Sequence, residues 1–247
     1  MRPWQLIGLA MGAYALGLVA TAPATLLDAG LQQASDGRLR LAEARGTLWS
    51  GSGKIEIRDA NRRSGIASNV AWHILPLHAL RGRLLYQVAL DHAVKHFPVT
   101  ITLQRVEFAD ADINLPAVAL ALAVSKLAPL ELTGELMLHV NRLAFARGTV
   151  HGSATLQWRA AGSALTRVSP LGDYEVRLES DGSSLRAFLR TLQGPLQLDG
   201  GGSWKSGSSP EFLGTARVPP QHQQQLSPLL RLIAVERGDG SFALQLK

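Results

Sequence analysis

Cysteine is absent from the 247 residues. That excludes a disulfide scaffold, a zinc ribbon and a cysteine nucleophile. A thiol-free chain suits an oxidising compartment, although many cytosolic chains share the feature. Charged residues are scarce, at 18%. Aromatic residues, at 6%, are too few to build a base-stacking platform for single-stranded nucleic acid. Dense basic runs are also missing, and Arg62-Arg63 is the longest adjacent pair. The net charge of +6 therefore reads as a solubilising excess and not as a nucleic-acid footprint. Such an excess would also favour anionic lipid headgroups or acidic partners.

Hydrophobic residues are abundant, at 46%, and so is glycine, with 24 residues. The length allows one large β domain or two small ones, each with a real core. No charge occurs from Trp4 to Ala22, a 19-residue run. As a helix it would span roughly 28 Å, close to the hydrocarbon thickness of a bilayer. Arg2 precedes the run, Asp28 is the first charge after it, and Arg38 is the first basic residue after it. Positive charge thus flanks only the N-terminal side, which predicts a cytoplasmic N-terminus and an exported remainder. Trp4 stands where an interfacial aromatic belongs.

A cleaved signal peptide competes with this reading. Ala20-Thr21-Ala22 and Ala22-Pro23-Ala24 have the small-x-small look of cleavage sites. Pro23 directly after the first site disfavours cleavage, and the apolar run exceeds the usual 7–15-residue signal core. The expectation is an uncleaved transmembrane anchor with its cytoplasmic tip over 1–24, followed by an exported β-rich domain over 25–247. Gly8 with Gly12, and Ala13 with Gly17, repeat the small-xxx-small spacing that lets helices pack closely in a membrane.

Period-two alternation recurs beyond the anchor. Ile55–Arg58, Val99–Gln104, Leu136–Val140, Tyr174–Glu179, Leu196–Leu198 and Phe242–Leu246 each predict a strand with one face buried. Gly238-Asp239-Gly240 before the last of them reads as a hairpin turn. Three stretches read as helices: Leu115–Leu127, Ser183–Leu192, and a segment capped by Ser227 with Pro228 at its first position. In the last, Leu226, Leu229, Leu230 and Ile233 form one apolar stripe, expected to pack on the sheet. Val218-Pro219-Pro220 opens the clearest loop.

An internal echo runs through the chain. Arg45-Gly46-Thr47-Leu48-Trp49 resembles Arg147-Gly148-Thr149-Val150, and Trp72 precedes Tyr86 much as Trp158 precedes Tyr174. Pro129–Gly134 matches Pro195–Gly200. The unequal spacing points to a divergent duplication of β meanders within one continuous sheet. The predicted fold is mainly β, an extended curved antiparallel sheet built from repeated meanders, with a few short helices and one N-terminal transmembrane helix.

The motifs that carry chemistry fail one by one. His92 and His96 are four apart but have no third ligand nearby. Asp110, Asp112 and Asn114 copy the start of a calcium loop, yet Leu115 replaces its glycine and Ala121 its glutamate. Gly51-Ser52-Gly53-Lys54 hints at a phosphate loop, but Leu48 and Ile55 stand at required glycine and hydroxyl positions. No nucleophile elbow occurs, and no spacing singles out a triad. Trp49, Trp72, Trp158 and Trp204 read as core anchors at sheet turns. No catalytic, cofactor-binding or metal residue is assigned, no cofactor or small-molecule substrate is expected, and the chain is read as a non-enzyme.

Arg45-Gly46-Thr47-Leu48-Trp49-Ser50-Gly51, soon after an N-terminal anchor, resembles a signature of the type II secretion system protein N family. So does Trp72 with Pro76, Leu80 and Gly82. Leu192–Gly200, then Trp204 and Phe212–Ala216, is similar to that family too. More distantly, the Gly-Thr-Leu-Trp and Trp-Pro pattern is similar to AsmA-type envelope proteins. The first resemblance implies an inner-membrane component of the machine that exports folded proteins across the outer membrane. It implies a periplasmic domain, without cofactor, whose partners are other inner-membrane or periplasmic secretion subunits. The second implies, as the alternative, an envelope protein that binds or transfers lipid in an apolar groove. An edge strand would be a natural contact for a partner, and Phe242–Leu246 is the candidate.

Overall fold

A computed structural model describes residues 3–58, 65–75, 82–123, 125–146, 148–205, 211–236 and 241–246. Two helices come first: α1 (Pro3–Ala20) and α2 (Thr25–Ala34). Six strands follow: β1 (Leu39–Gly46), β2 (Ser50–Ile57), β3 (Ile66–Leu75), β4 (Leu84–Leu90), β5 (Phe97–Ile101) and β6 (Val106–Pro116). A short α3 (Val118–Ala123) and a 3₁₀ turn (Ser125–Leu130) lead to β7 (Leu132–Ala146), β8 (Thr149–Ser163) and β9 (Gly172–Asp181). The chain continues through β10 (Ser184–Gln193), β11 (Gln197–Lys205) and β12 (Glu211–Arg217), then α4 (Pro220–Ile233), β13 (Ala234–Glu236) and β14 (Ser241–Leu246).

The strands form one open antiparallel sheet in almost pure sequence order, β1 to β12, then β14 and β13. The order follows from short connections, because each hairpin pairs a strand with its sequence neighbour. Register slips in β1, β7, β8 and β10 mark bulges, which add twist to a sheet this wide. One face is apolar throughout. Leu41, Ile55, Val70, Trp72, Val88, Tyr86, Val99 and Phe108 line it on the first six strands, and the pairing register places them in rows. Two clusters gather on it. The first joins Leu41, Trp72, Tyr86, Phe97, Val140 and Ala154 with Ala24, just before α2, and Leu27 and Leu31 from α2. The second joins Leu130, Leu171, Leu196, Ala216 and Phe242 with Leu226, Leu229 and Leu230 of α4.

Several expectations are corrected. Ser183–Leu192 is a strand, because Leu185, Ala187 and Leu189 alternate onto the apolar face between β9 and β11, and Phe188 and Leu192 are left exposed. Pairing on both sides outweighs local helical spacing. The Leu115–Leu127 helix shrinks to α3 and the 3₁₀ turn, since β6 runs on to Pro116. Helix α4 starts at Pro220, not at Ser227, so Pro228 lies inside it. Pro220 supplies the preset φ of a first helical residue, and the glutamine run continues the helix. The Ile233 side chain and the Gly238–Gly240 turn fall outside the described residues, as do Arg62, Arg63, Pro76, Leu80 and Arg147. The strand Phe242–Leu246 is not an edge: β14 sits between β12 and β13.

The expected transmembrane helix is present as a helix but falls short as a span. Among the described residues no helix is long and apolar enough to cross a membrane. Helix α1 has 18 residues. At 1.5 Å each it rises about 27 Å, under the ~30 Å hydrocarbon core.

Candidate functional site

The β1–β2 turn grips the end of α1. Trp49 Nε1 donates to the Val19 carbonyl at 2.8 Å, one of the helix-end acceptors that have no partner within the helix. Leu48 N donates to Ala22 O at 2.8 Å, and Ala24 N donates to Gly46 O at 3.2 Å. Pro23 bridges to Thr47. Gly46 holds φ at +92°, which a non-glycine residue adopts only under strain. Behind the turn, Trp72 is buried and its Nε1 donates to Thr47 O at 3.2 Å. A Cβ on Gly51 would lie 2.6 Å from the Trp72 ring, so only glycine admits it.

The same device recurs. Trp158 Nε1 donates to Thr133 O at 2.9 Å and lies against Gly134, where a Cβ would sit 2.9 Å from that nitrogen. Trp158 and Tyr174 pair across β8 and β9 with ring centroids 5.9 Å apart. Burial pushes the Tyr174 phenol far above its usual range, and its hydroxyl donates to Leu196 O at 2.8 Å. Of the four tryptophans read as core anchors, only Trp72 is fully buried; Trp49, Trp158 and Trp204 are half-buried. Each of the three stays partly exposed, and the indole N–H of Trp49 and of Trp158 finds a backbone carbonyl.

Helix α2 closes the β1 edge. Asp28 Oδ1 accepts from Leu41 N at 2.8 Å, and Gln32 Nε2 holds its other oxygen at 2.7 Å. On the polar face, Glu175 is buried between Arg190, at 2.7 Å, and Arg177, at 3.8 Å, with Gln157 at 3.3 Å. Nearby, His139 Nδ1 is hydrogen-bonded to Asp112 Oδ1, and Lys95 lies 3.6 Å from Asp112 Oδ2. The bond raises the His139 pKa above its usual value and lowers that of Asp112. The pair borders a cavity of about 280 Å³ with Met137, Thr155 and Gln157.

The motifs tested in the sequence scatter. His92 lies in a turn and His96 in a loop, so they share no helical face. Asp110, Asp112 and Asn114 lie within β6, with Asp110 at a positive-φ kink, and Asp112 faces His139 instead of a cation loop. Gly51–Lys54 is strand, not a phosphate loop. A cavity of about 420 Å³ beside it is lined by Glu43, Arg45, Lys54, Asn69 and Asp91 among others, with Lys54 and Glu43 paired at 2.8 Å. Among the described residues no group of three or more His, Asp or Glu side chains could hold a metal ion. Two features were missed in the sequence: the His139–Asp112 pair, visible only once β6 and β7 are in register, and the exposed Leu103. The strand expected over Val99–Gln104 stops at Ile101, which leaves Leu103 in the following turn.

Fold and surface together define an open meander scaffold, a sheet with one apolar face whose first hairpin is fastened to a separate apolar helix. The chain belongs to the type II secretion system (T2SS) protein N family, whose description matches residues 37–245. That stretch runs from just before β1 to Gln245 in β14 and leaves out α1 and α2. No curated protein and no solved structure matches the chain. The resemblance to the secretion family drawn from Arg45–Gly51, Trp72 and Leu192–Ala216 is thereby confirmed; the AsmA likeness is not.

Proposed function

We propose that this chain is a non-enzymatic, inner-membrane component of the type II secretion system that acts by binding and positioning other secretion subunits. Membership of the protein N family carries the reading. Helix α1 supports the membrane part. Its described residues are exposed, Trp4, Ile7, Met11, Tyr14, Leu18 and Val19 among them, and a helix apolar on every side is unstable in water. Its shortfall as a span is of the size that local bilayer thinning absorbs. Arg2 before it orients the N-terminus to the cytoplasm and the sheet to the periplasm. Deleting the gene in its host should leave a folded secreted enzyme trapped in the periplasm, and the full chain supplied in trans should restore export. Normal export without the chain would refute the assignment.

A second reading is favoured by one observation. Between the two core clusters Leu156, Val176, Leu178 and Leu189 share the apolar face and are only half-buried. A stretch of this kind can shelter an acyl chain. Native mass spectrometry of the full chain extracted from membranes would then show bound phospholipid, and a lipid-free spectrum would discard this reading.

A further inference from the structure

The sheet has two ends, and α1 joins one of them. The strands alternate in direction, so the β1–β2 turn (47–49), Gly82 and Arg83 just before β4, and the β5–β6 turn (102–105) all lie at the end that Trp49 fastens to α1. None of these three stretches contains an Asp or Glu. Among their described residues and the strand ends beside them, Arg45, Arg83 and Arg105 are exposed; the carboxylate of Glu107, near the start of β6, lies 3.5 Å from Arg105 and is shared with Arg142 at 3.1 Å. The β5–β6 turn is tied by Thr102, whose Oγ1 donates to Arg105 O at 3.1 Å and accepts from Arg105 N at 3.1 Å. At the tip of this braced turn Leu103 is fully exposed, at 104% of its reference area. Nothing in the fold uses it there, and tight turns ordinarily take Asn, Asp, Ser or Gly at such tips.

We propose that this end of the sheet is a lipid-contact rim, with Leu103 and Trp49 at headgroup level and Arg45, Arg83 and Arg105 against anionic headgroups. The proposal rests on α1 lying in the bilayer. Once α1 is inserted, its joint with the β1–β2 turn holds that turn at the membrane surface. At about 4.8 Å per strand the β5–β6 turn lies roughly 20 Å along the sheet, within reach of the same surface. An exposed leucine beside arginines is the combination that interfacial segments use: an apolar tip for the acyl boundary and cations for the surface potential. Trp49, half-buried with its N–H committed to the helix end, fits the interfacial position of tryptophan. The rim converts a one-point tether into a seat with a defined tilt.

The chain has no cysteine, so single substitutions carry a spin label at one site. Leu103→Cys reports on the rim. Val94→Cys, 67% exposed in the β4–β5 connection at the opposite end, is the control. The full chain is reconstituted into vesicles of phosphatidylcholine with one quarter phosphatidylglycerol, recovered by flotation and probed with a water-soluble nickel relaxant. The expected result is several-fold lower nickel accessibility at position 103 than at 94. That protection should be lost in pure phosphatidylcholine, and lost again when Arg45, Arg83 and Arg105 are all changed to Gln. Equal accessibility at 103 and 94 in floated vesicles would overturn the rim and leave the anchor standing. Protection that persists without phosphatidylglycerol would overturn the role of anionic headgroups. A chain that fails to float would overturn the anchor and the rim together.

Discussion

Trp49 and Trp72 look alike in the sequence, and the structure separates them. Trp72 is buried at 6% exposure, and its removal opens a cavity in the first core cluster. Trp72→Ala should cost about 3–5 kcal/mol. Trp49 contributes a part-covered ring and one hydrogen bond to α1. Trp49→Ala should cost only about 1–2 kcal/mol in the folded sheet. Denaturant midpoints of the two variants, compared at equal slope, check the ranking. His139 and Asp112 add a pH dependence. His139 is raised from 6.5, so its share of stability is present below that value and is lost as pH rises through its folded pKa. Asp112 is lowered from 3.8, so its share is present above 3.8 and is lost as pH falls through its folded pKa. Both are in force only between those limits. In Asp112→Asn, an NMR titration of His139 should move down towards 6.5; an unmoved titration would deny the pair.

At the scale of elements, the hairpin that carries Gly46–Gly51 depends on missing side chains at both glycines. Gly51→Ala would place a Cβ 2.3 Å from the Arg45 carbonyl and 2.6 Å from Trp72. It should destabilise by about 1–3 kcal/mol, read by thermal unfolding. Gly12→Ala meets nothing within 4 Å and should leave the sheet's unfolding unchanged. Legibility in the sequence follows the same physics. The strands around Ile55, Val99, Leu138, Val176 and Phe242 alternate cleanly because one face is apolar and the other wet. The β10 segment misled because Phe188 and Leu192 are apolar on the polar face, which fills in a helical spacing that pairing then overrides. Helix α4 was found by its leucines but started late, since Pro228 imitates a helix beginning and the glutamine run carries no apolar signal. The tryptophan–glycine contacts were hidden because they join different strands; only the echo of Arg45–Trp49 in Arg147–Val150 and of Trp72 in Trp158 hinted at a repeated device.

For the whole molecule, a sheet that matches the secretion family is joined to a helix outside that match. The sheet is closed at the β1 edge by α2 through Asp28, and the opposite edge strand β13 is only three residues long. Short or covered edges limit uncontrolled strand pairing, which suits the proposed role of meeting secretion subunits selectively. Far-UV circular dichroism of the full chain in detergent should show more strand than helix. The claim that the sheet works from a fixed seat on the membrane is tested most directly by secretion itself. In a strain lacking the gene, residues 1–22 are replaced by a cleavable signal peptide, so that the same sheet is delivered free to the periplasm. Export of a folded enzyme is then measured against the intact chain at matched abundance. The account predicts that the intact chain restores export and the freed sheet does not. Full export with the freed sheet would contradict it.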